Sequence, residues 1–202
     1  MSYYDEEYKK LAEKWDLISC LSSEIKNHWL AFETIFLNYS DLYRVYHNPK
    51  HLVNCFDVLS KFFPNEKLNP AIRLALFFHD AVYNTTKTDN EAQSCLLLDK
   101  LLPDIDESIR NDAKSYIMVT SSHLPFDDKS KIVVDCDLAI LGSSPEEYEQ
   151  YENSIREEYY FVPKDLYISG RAKVMNKFAN KEFVFCTEQM RSSQYEINAK
   201  IN

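Results

Sequence analysis

The chain has 202 residues, 45% hydrophobic and 14% aromatic, enough for one helical or mixed domain with a real core. Its formal charge of −9 and scattered Lys and Arg exclude the basic face that duplex nucleic acid demands. Its two glycines, Gly142 and Gly170, exclude the glycine-rich loops that wrap phosphate in dinucleotide-binding and P-loop proteins.

No apolar run reaches the roughly 20 residues that span a bilayer, and the acidic start, Met1 to Glu7, lacks the pattern of a secretory signal. The five cysteines, Cys20, Cys55, Cys95, Cys136 and Cys186, are widely spaced and form no Cys-x-x-Cys pair. Reduced, mostly buried thiols in a cytoplasmic protein are expected.

In chain order, Tyr8, Leu11, Trp15 and Ile18 recur at helical spacing between Glu6 and Leu21. Ser22 or Ser23 caps a second helix with Ile25, Trp29, Phe32 and Phe36 on one face. Asn48-Pro49 is an N-cap followed by a first-turn proline, opening a helix that runs to about Phe63 and stops at Pro64. Asn69-Pro70 repeats the signal and predicts a helix through Phe77, Phe78 and His79 to about Tyr83. Asp89 caps a helix over Asn90 to Leu102, and Asp106 begins another that ends near Ser122. Asp128 to Leu141 is strongly apolar and closes on Gly142 as a helix C-cap. Ser144-Pro145-Glu146-Glu147 starts another helix, and two or three more follow through Arg156, Arg171 and Tyr195. Ile132-Val133-Val134 and Phe183-Val184-Phe185 have strand-like composition, but their neighbours are helical in pattern. The expectation is an all-α helical bundle, a single domain over 1–202, without repeats or linkers.

Two polar intrusions into apolar sequence point to chemistry. His79-Asp80 follows directly on Leu76-Phe77-Phe78, and Asp135 and Asp137 interrupt the run from Ile132 to Leu141. Burying such groups costs several kcal/mol unless they are paired, and a divalent cation takes imidazole nitrogen and carboxylate oxygen together. A cap or an arginine partner is the competing explanation for Asp137. Residues two apart on a helix point about 200° away from each other, so Asp135 and Asp137 cannot easily face one ion.

The order His … His-Asp … Asp resembles the HD superfamily of metal-dependent phosphohydrolases. Tyr46-His47-Asn48-x-x-His51 with Phe56-Asp57-Val58, and Leu74-Ala75-x-x-Phe78-His79-Asp80, are similar to motifs of its cyclic-nucleotide phosphodiesterase branch. Asp89-Asn90-Glu91, Thr120-x-x-His123, Asp137 to Gly142, Ile155-Arg156-x-Glu158-Tyr159 and Gly170-Arg171 resemble a family of predicted HD phosphohydrolases over nearly the whole chain. No lysine follows the His-Asp pair closely, as it does in several branches; Ala81-Val82-Tyr83 stands there instead.

The resemblance implies an HD-type bundle with His51, His79, Asp80 and Asp137 as metal ligands, Asp135 being the substitute for Asp137. It also places His47 where the phosphodiesterase branch has its general acid. The expected cofactor is a divalent ion, Mn, Fe, Co, Ni or Zn, with Mg at a second oxygen-rich position. The expected reaction is metal-assisted hydrolysis of a small phosphate ester such as a nucleotide. In it Glu91 serves as base or holds a water, Arg44, Arg156 and Arg171 clamp phosphate, and His123 contacts substrate or a second ion. The competing classes are a metal-binding regulatory module without turnover and a helical interaction protein. No nucleic-acid duplex or membrane partner is expected.

Overall fold

The computed structural model describes residues 4–19 and 28–202, and every regular element among them is helical. In order they are α1 (Asp5–Ser19), α2 (His28–Tyr39), α3 (Pro49–Phe62), α4 (Pro70–Phe78), α5 (Asn90–Leu101), α6 (Glu107–Thr120) and α7 (Asp128–Asp137). A 3₁₀ turn (Leu138–Gly142) follows, then α8 (Pro145–Glu158), α9 (Lys164–Ala179), α10 (Glu188–Arg191) and α11 (Gln194–Ile201). No helix among the described residues is long and apolar enough to cross a membrane. Cys20, the Ser22 or Ser23 cap, Ile25 and the side chain of Ile18 lie outside the described residues. Cys55, Cys95, Cys136 and Cys186 are free thiols.

The central element is α4. Every residue from Ala71 to Phe78 is buried, and the helix packs on α1, α3, α5, α6 and α7. Leu11 and Trp15 of α1, Phe32 and Phe36 of α2 and Phe56 of α3 belong to the same core. Trp29 departs from expectation: it is 42% exposed, with a T-shaped ring contact to Phe32 of that core.

The helix starts follow local chemistry. Asn48 caps α3 by accepting from the Lys50 N–H, and Asn69 caps α4 by accepting from Ala71 and Ile72. Asp106 caps α6, and Ser144 with Glu147 forms a reciprocal capping box at α8. Asp89 does not cap α5 through its side chain; its carboxylate instead accepts from Gln93.

Three expectations are corrected. Helix α4 stops at Phe78 and does not reach Tyr83, so His79 and Asp80 stand where the chain leaves a fully buried helix. The apolar segment after Asp128 is two elements, α7 and the 3₁₀ turn, with the change at Asp137-Leu138. Gly142 is no left-handed cap, since no glycine has positive φ. Glycine is required there because a Cβ would lie 2.5 Å from the Tyr195 carbonyl oxygen of α11.

Of the two strand-like stretches, Ile132-Val133-Val134 lies within α7. Phe183 to Cys186 is an irregular segment whose N–H groups are taken by carboxylates in place of a neighbouring strand. Glu196 accepts from Val184 and Phe185, and Asp135 accepts from Cys186 and Thr187.

Candidate metal centre and adjoining cavity

Three elements converge on one buried point. The first turn of α3 delivers His51, the end of α4 delivers His79 and Asp80, and the end of α7 delivers Asp137. His51 Nε2 lies 3.1 Å from His79 Nε2. Asp80 Oδ2 is 3.3 Å from His79 Nε2 and 3.8 Å from His51 Nε2. Asp137 Oδ1 is 3.5 Å from both imidazoles. Around an ion with bonds of about 2.1 Å, neighbouring ligand atoms lie about 3.0 Å apart in an octahedron and about 3.4 Å apart in a tetrahedron. The imidazole and carboxylate contacts, at 3.1–3.8 Å, fall close to that range.

The outer ring atoms fix the orientation of both histidines. His79 Nδ1–H donates to the Leu76 carbonyl at 2.9 Å, which leaves Nε2 unprotonated toward the centre when the ring is neutral. His51 Nδ1 lies 3.1 Å from the Tyr46 hydroxyl. Burial lowers the pKa of His51. Burial also acts on His79, but Asp80 and Asp137 outweigh it and hold its pKa well above the usual value. Burial opposes the charge on Asp80 as well, yet His79 keeps its pKa low, while His123, His51 and His79 do the same for Asp137.

A fifth side chain joins the group. Cys55, one helical turn after His51, places Sγ 3.7 Å from His51 Nε2. His51, Cys55 and His79 form a buried group whose ligand atoms all lie within 4.8 Å of one another and which could hold a metal ion. The sequence reading had treated Cys55 only as a buried thiol.

Asp135 and Asp137 diverge, as helical geometry requires. Asp135 is fully buried on the far side of α7, where its oxygens accept from Cys186 N at 2.6 Å, Thr187 N at 2.8 Å and Thr187 Oγ1 at 2.6 Å. Asp137 faces the histidines, and its second oxygen lies 3.3 Å from His123 Nε2. His123 has φ 55°, a left-handed conformation unusual for a non-glycine residue.

His47 stands beside the shell, outside it. Its Nδ1–H donates to Glu158 Oε2 at 2.7 Å, while Glu158 Oε1 accepts from the backbone N–H of Tyr46 at 2.7 Å and of His47 at 2.8 Å. Tyr83 stacks on the imidazole with ring centroids 4.1 Å apart. Burial pulls the His47 pKa down, but Glu158, Asp80 and Asp137 together raise it above the ordinary value. Glu158 was missed as a functional residue: its motif was noted, but nothing in local spacing ties it to His47.

The arginines mostly do other work. Arg44 does not face the cavity as a phosphate clamp; its guanidinium is buried and donates to the carbonyls of Asp80 at 2.6 Å and Ala81 at 3.2 Å, bracing the turn that presents Asp80. Arg156 donates to the Tyr159 and Val162 carbonyls and pins the α8–α9 turn. Arg171 does reach the cavity, but it is already paired with Glu152 at 2.6 Å.

The cavity itself has a volume of about 550 Å³, and His47, Asp80, Glu91, His123 and Asp137 are among its lining residues. That volume suits a small-molecule ligand. No family model, curated protein or solved structure matches the chain.

Proposed function

We propose that this chain is a metal-dependent hydrolase of small phosphate esters, of the kind that the HD superfamily resemblance implies. The observation that carries the reading is the 3.1–3.8 Å contacts of His51 Nε2 and His79 Nε2 with each other and with Asp80 Oδ2 and Asp137 Oδ1, the two carboxylates also lining a ligand-sized cavity. The carboxylates are preferred to Cys55 as partners of the imidazoles because Asp80 and Asp137 each approach both rings within 3.8 Å. Two nitrogens and two oxygens suit Mn, Fe, Co, Ni or Zn.

A divalent ion bound there would polarise a phosphoryl oxygen and lower the pKa of water. The protein's own groups supply the rest. Glu158 holds His47 by Nδ1, so that Nε2 is the atom left to carry a proton to the departing oxygen. Asp137 links the two histidines to His123 through its two oxygens. Glu91 lines the same cavity, where it can accept a proton from water.

The test is metal analysis of purified protein followed by turnover of bis(4-nitrophenyl) phosphate and a nucleotide panel with each of those ions and with Mg. The expected result is about one equivalent of metal or more, metal-dependent turnover, and loss of both in His79→Ala. Cys55→Ser should retain the metal. Metal without turnover of any ester would instead indicate a regulatory module, and failure to bind any of the ions would overturn the reading.

A further inference from the structure

The cavity lining is of two unlike chemistries. Besides the carboxylates and histidines, it takes in α8, α9 and the turn between them, with Ile155, Val162, Leu166 and Val174 among its side chains. Leu166 is 66% exposed and Val174 43% exposed, so apolar surface stands open at the mouth. Among the described residues that line it, Arg171 is the one permanent cation, and Glu152 already takes it by Nε and Nη2. Among the described residues no lysine, asparagine, glutamine or serine lines the space; apart from the carboxylates and histidines, its polar side chains are tyrosine hydroxyls, Thr120 and Arg171.

This chemistry discriminates among phosphate esters. A polyphosphate brings several anionic charges that must each find a donor once water is displaced, and the wall offers a single cation already engaged. A sugar or polyol brings hydroxyls that would lose water and, away from the carboxylates and histidines, meet only tyrosine hydroxyls, Thr120 and the engaged Arg171. A flat aromatic or aliphatic group loses nothing and covers Leu166 and Val174. We infer that the cavity takes an ester of one phosphoryl group with an aromatic or aliphatic alcohol, the phosphoryl at Asp80 and Asp137 and the organic group against α9. The inference rests on the hydrolase reading above. In the reaction water forms the new P–O bond, the bond from phosphorus to the alcohol oxygen breaks, and that oxygen leaves with a proton.

A homologous series of n-alkyl phosphates from ethyl to hexyl, with phenyl phosphate, glycerol phosphate and nucleoside di- and triphosphates for comparison, tests it on protein loaded with Mn²⁺. Expected is a rise in kcat/KM of about three- to fourfold per methylene over the buried part of the series. Glycerol phosphate and the polyphosphates should be at least tenfold poorer than hexyl phosphate. Val174→Asp, at a position already half exposed, should flatten the chain-length dependence with metal content unchanged. A flat or falling series, or preference for the polyphosphates or glycerol phosphate, overturns the inference. Should metal-loaded protein turn over none of the esters, the hydrolase reading fails separately, and calorimetric affinities for the same series still decide the class of ligand.

Discussion

The imidazole of His47 is held by the carboxylate of Glu158, a partner 111 residues further along the chain, at 2.7 Å. The same carboxylate also takes the backbone N–H groups of Tyr46 and His47. The ring is therefore fixed in position and in tautomer, with one nitrogen committed and the other free. His47→Ala should keep its metal and its fold and lose roughly 10²-fold in turnover of an alkyl ester. A nitrophenyl ester, whose leaving group needs no proton, should suffer much less. Glu158→Gln should show the same leaving-group split in weaker form, and equal losses on both esters would argue against proton donation by this pair.

The pair also predicts a pH dependence of stability. Burial raises the Glu158 pKa, but the hydrogen bonds from His47 and Tyr46 leave it below the ordinary 4.5. A depressed carboxylate stabilises the fold above its unfolded pKa, and that contribution is lost as pH falls through the folded value. His47 is raised above 6.5, so its contribution is complete below 6.5 and is lost as pH rises through the folded value. Urea unfolding of the wild type and Glu158→Gln should therefore differ most between about pH 5 and 6. A difference that grows steadily toward pH 9 would contradict the assignment.

Asp137 and Asp135 should separate cleanly. Asp137→Ala removes the carboxylate that faces both imidazoles and should abolish tight metal binding with little loss of secondary structure. Asp135→Ala leaves the Cys186 and Thr187 N–H groups without their acceptor and should destabilise by about 2–4 kcal/mol. Its metal content should stay near that of the wild type, measured by elemental analysis beside chemical denaturation. Exchange of the two phenotypes would move the ligand role to Asp135.

Arg44 and Arg156 should behave as braces. Arg156→Ala should lower the melting temperature and leave KM for a small ester within about twofold, because its guanidinium serves the Tyr159 and Val162 carbonyls. Arg44→Ala should cost more, about 2–3 kcal/mol, since it strips buried carbonyls of a charged donor, and it should weaken metal retention by loosening the turn at Asp80. A tenfold rise in KM for Arg156→Ala with unchanged stability would restore it as a substrate contact.

The two glycines should respond oppositely to alanine. At Gly142 the added methyl meets the Tyr195 backbone at 2.5 Å, and a loss of about 1–3 kcal/mol is expected. At Gly170, inside α9, nothing lies within 4 Å of the new Cβ, and a gain of about 0.5–1 kcal/mol is expected. Denaturant midpoints of the two variants check both signs.

Much of this was legible in the sequence. Asn48-Pro49, Asn69-Pro70, Asp106 and Ser144-Pro145 announce helix starts because capping is a local interaction, and each one caps as read. His79-Asp80 and Asp137 stood out because charge inside apolar sequence needs a partner, and the structure brings them together with His51. What could not be read depends on distance along the chain. The role of Glu158 requires knowing that α8 returns to the start of α3. The carbonyl partners of Arg44 and Arg156 were out of reach in the same way: a guanidinium that binds carbonyls and one that waits for phosphate look alike in sequence. Trp29 follows the helical period yet faces outward, since periodicity defines a stripe and does not say where along it the core ends.

The clamp that Asp135 closes on Cys186 and Thr187 has a consequence for how the protein is made. Helix α7 carries Asp135 inward and, two residues later, presents Asp137 to the histidines. Until residues 183–187 have left the ribosome, Asp135 has no donors to satisfy it in the interior, and the end of α7 lacks its anchor. Histidines 51 and 79 and Asp80 emerge more than a hundred residues earlier. A nascent chain thus exposes His51, His79 and Asp80 long before Asp137 is held in place beside them.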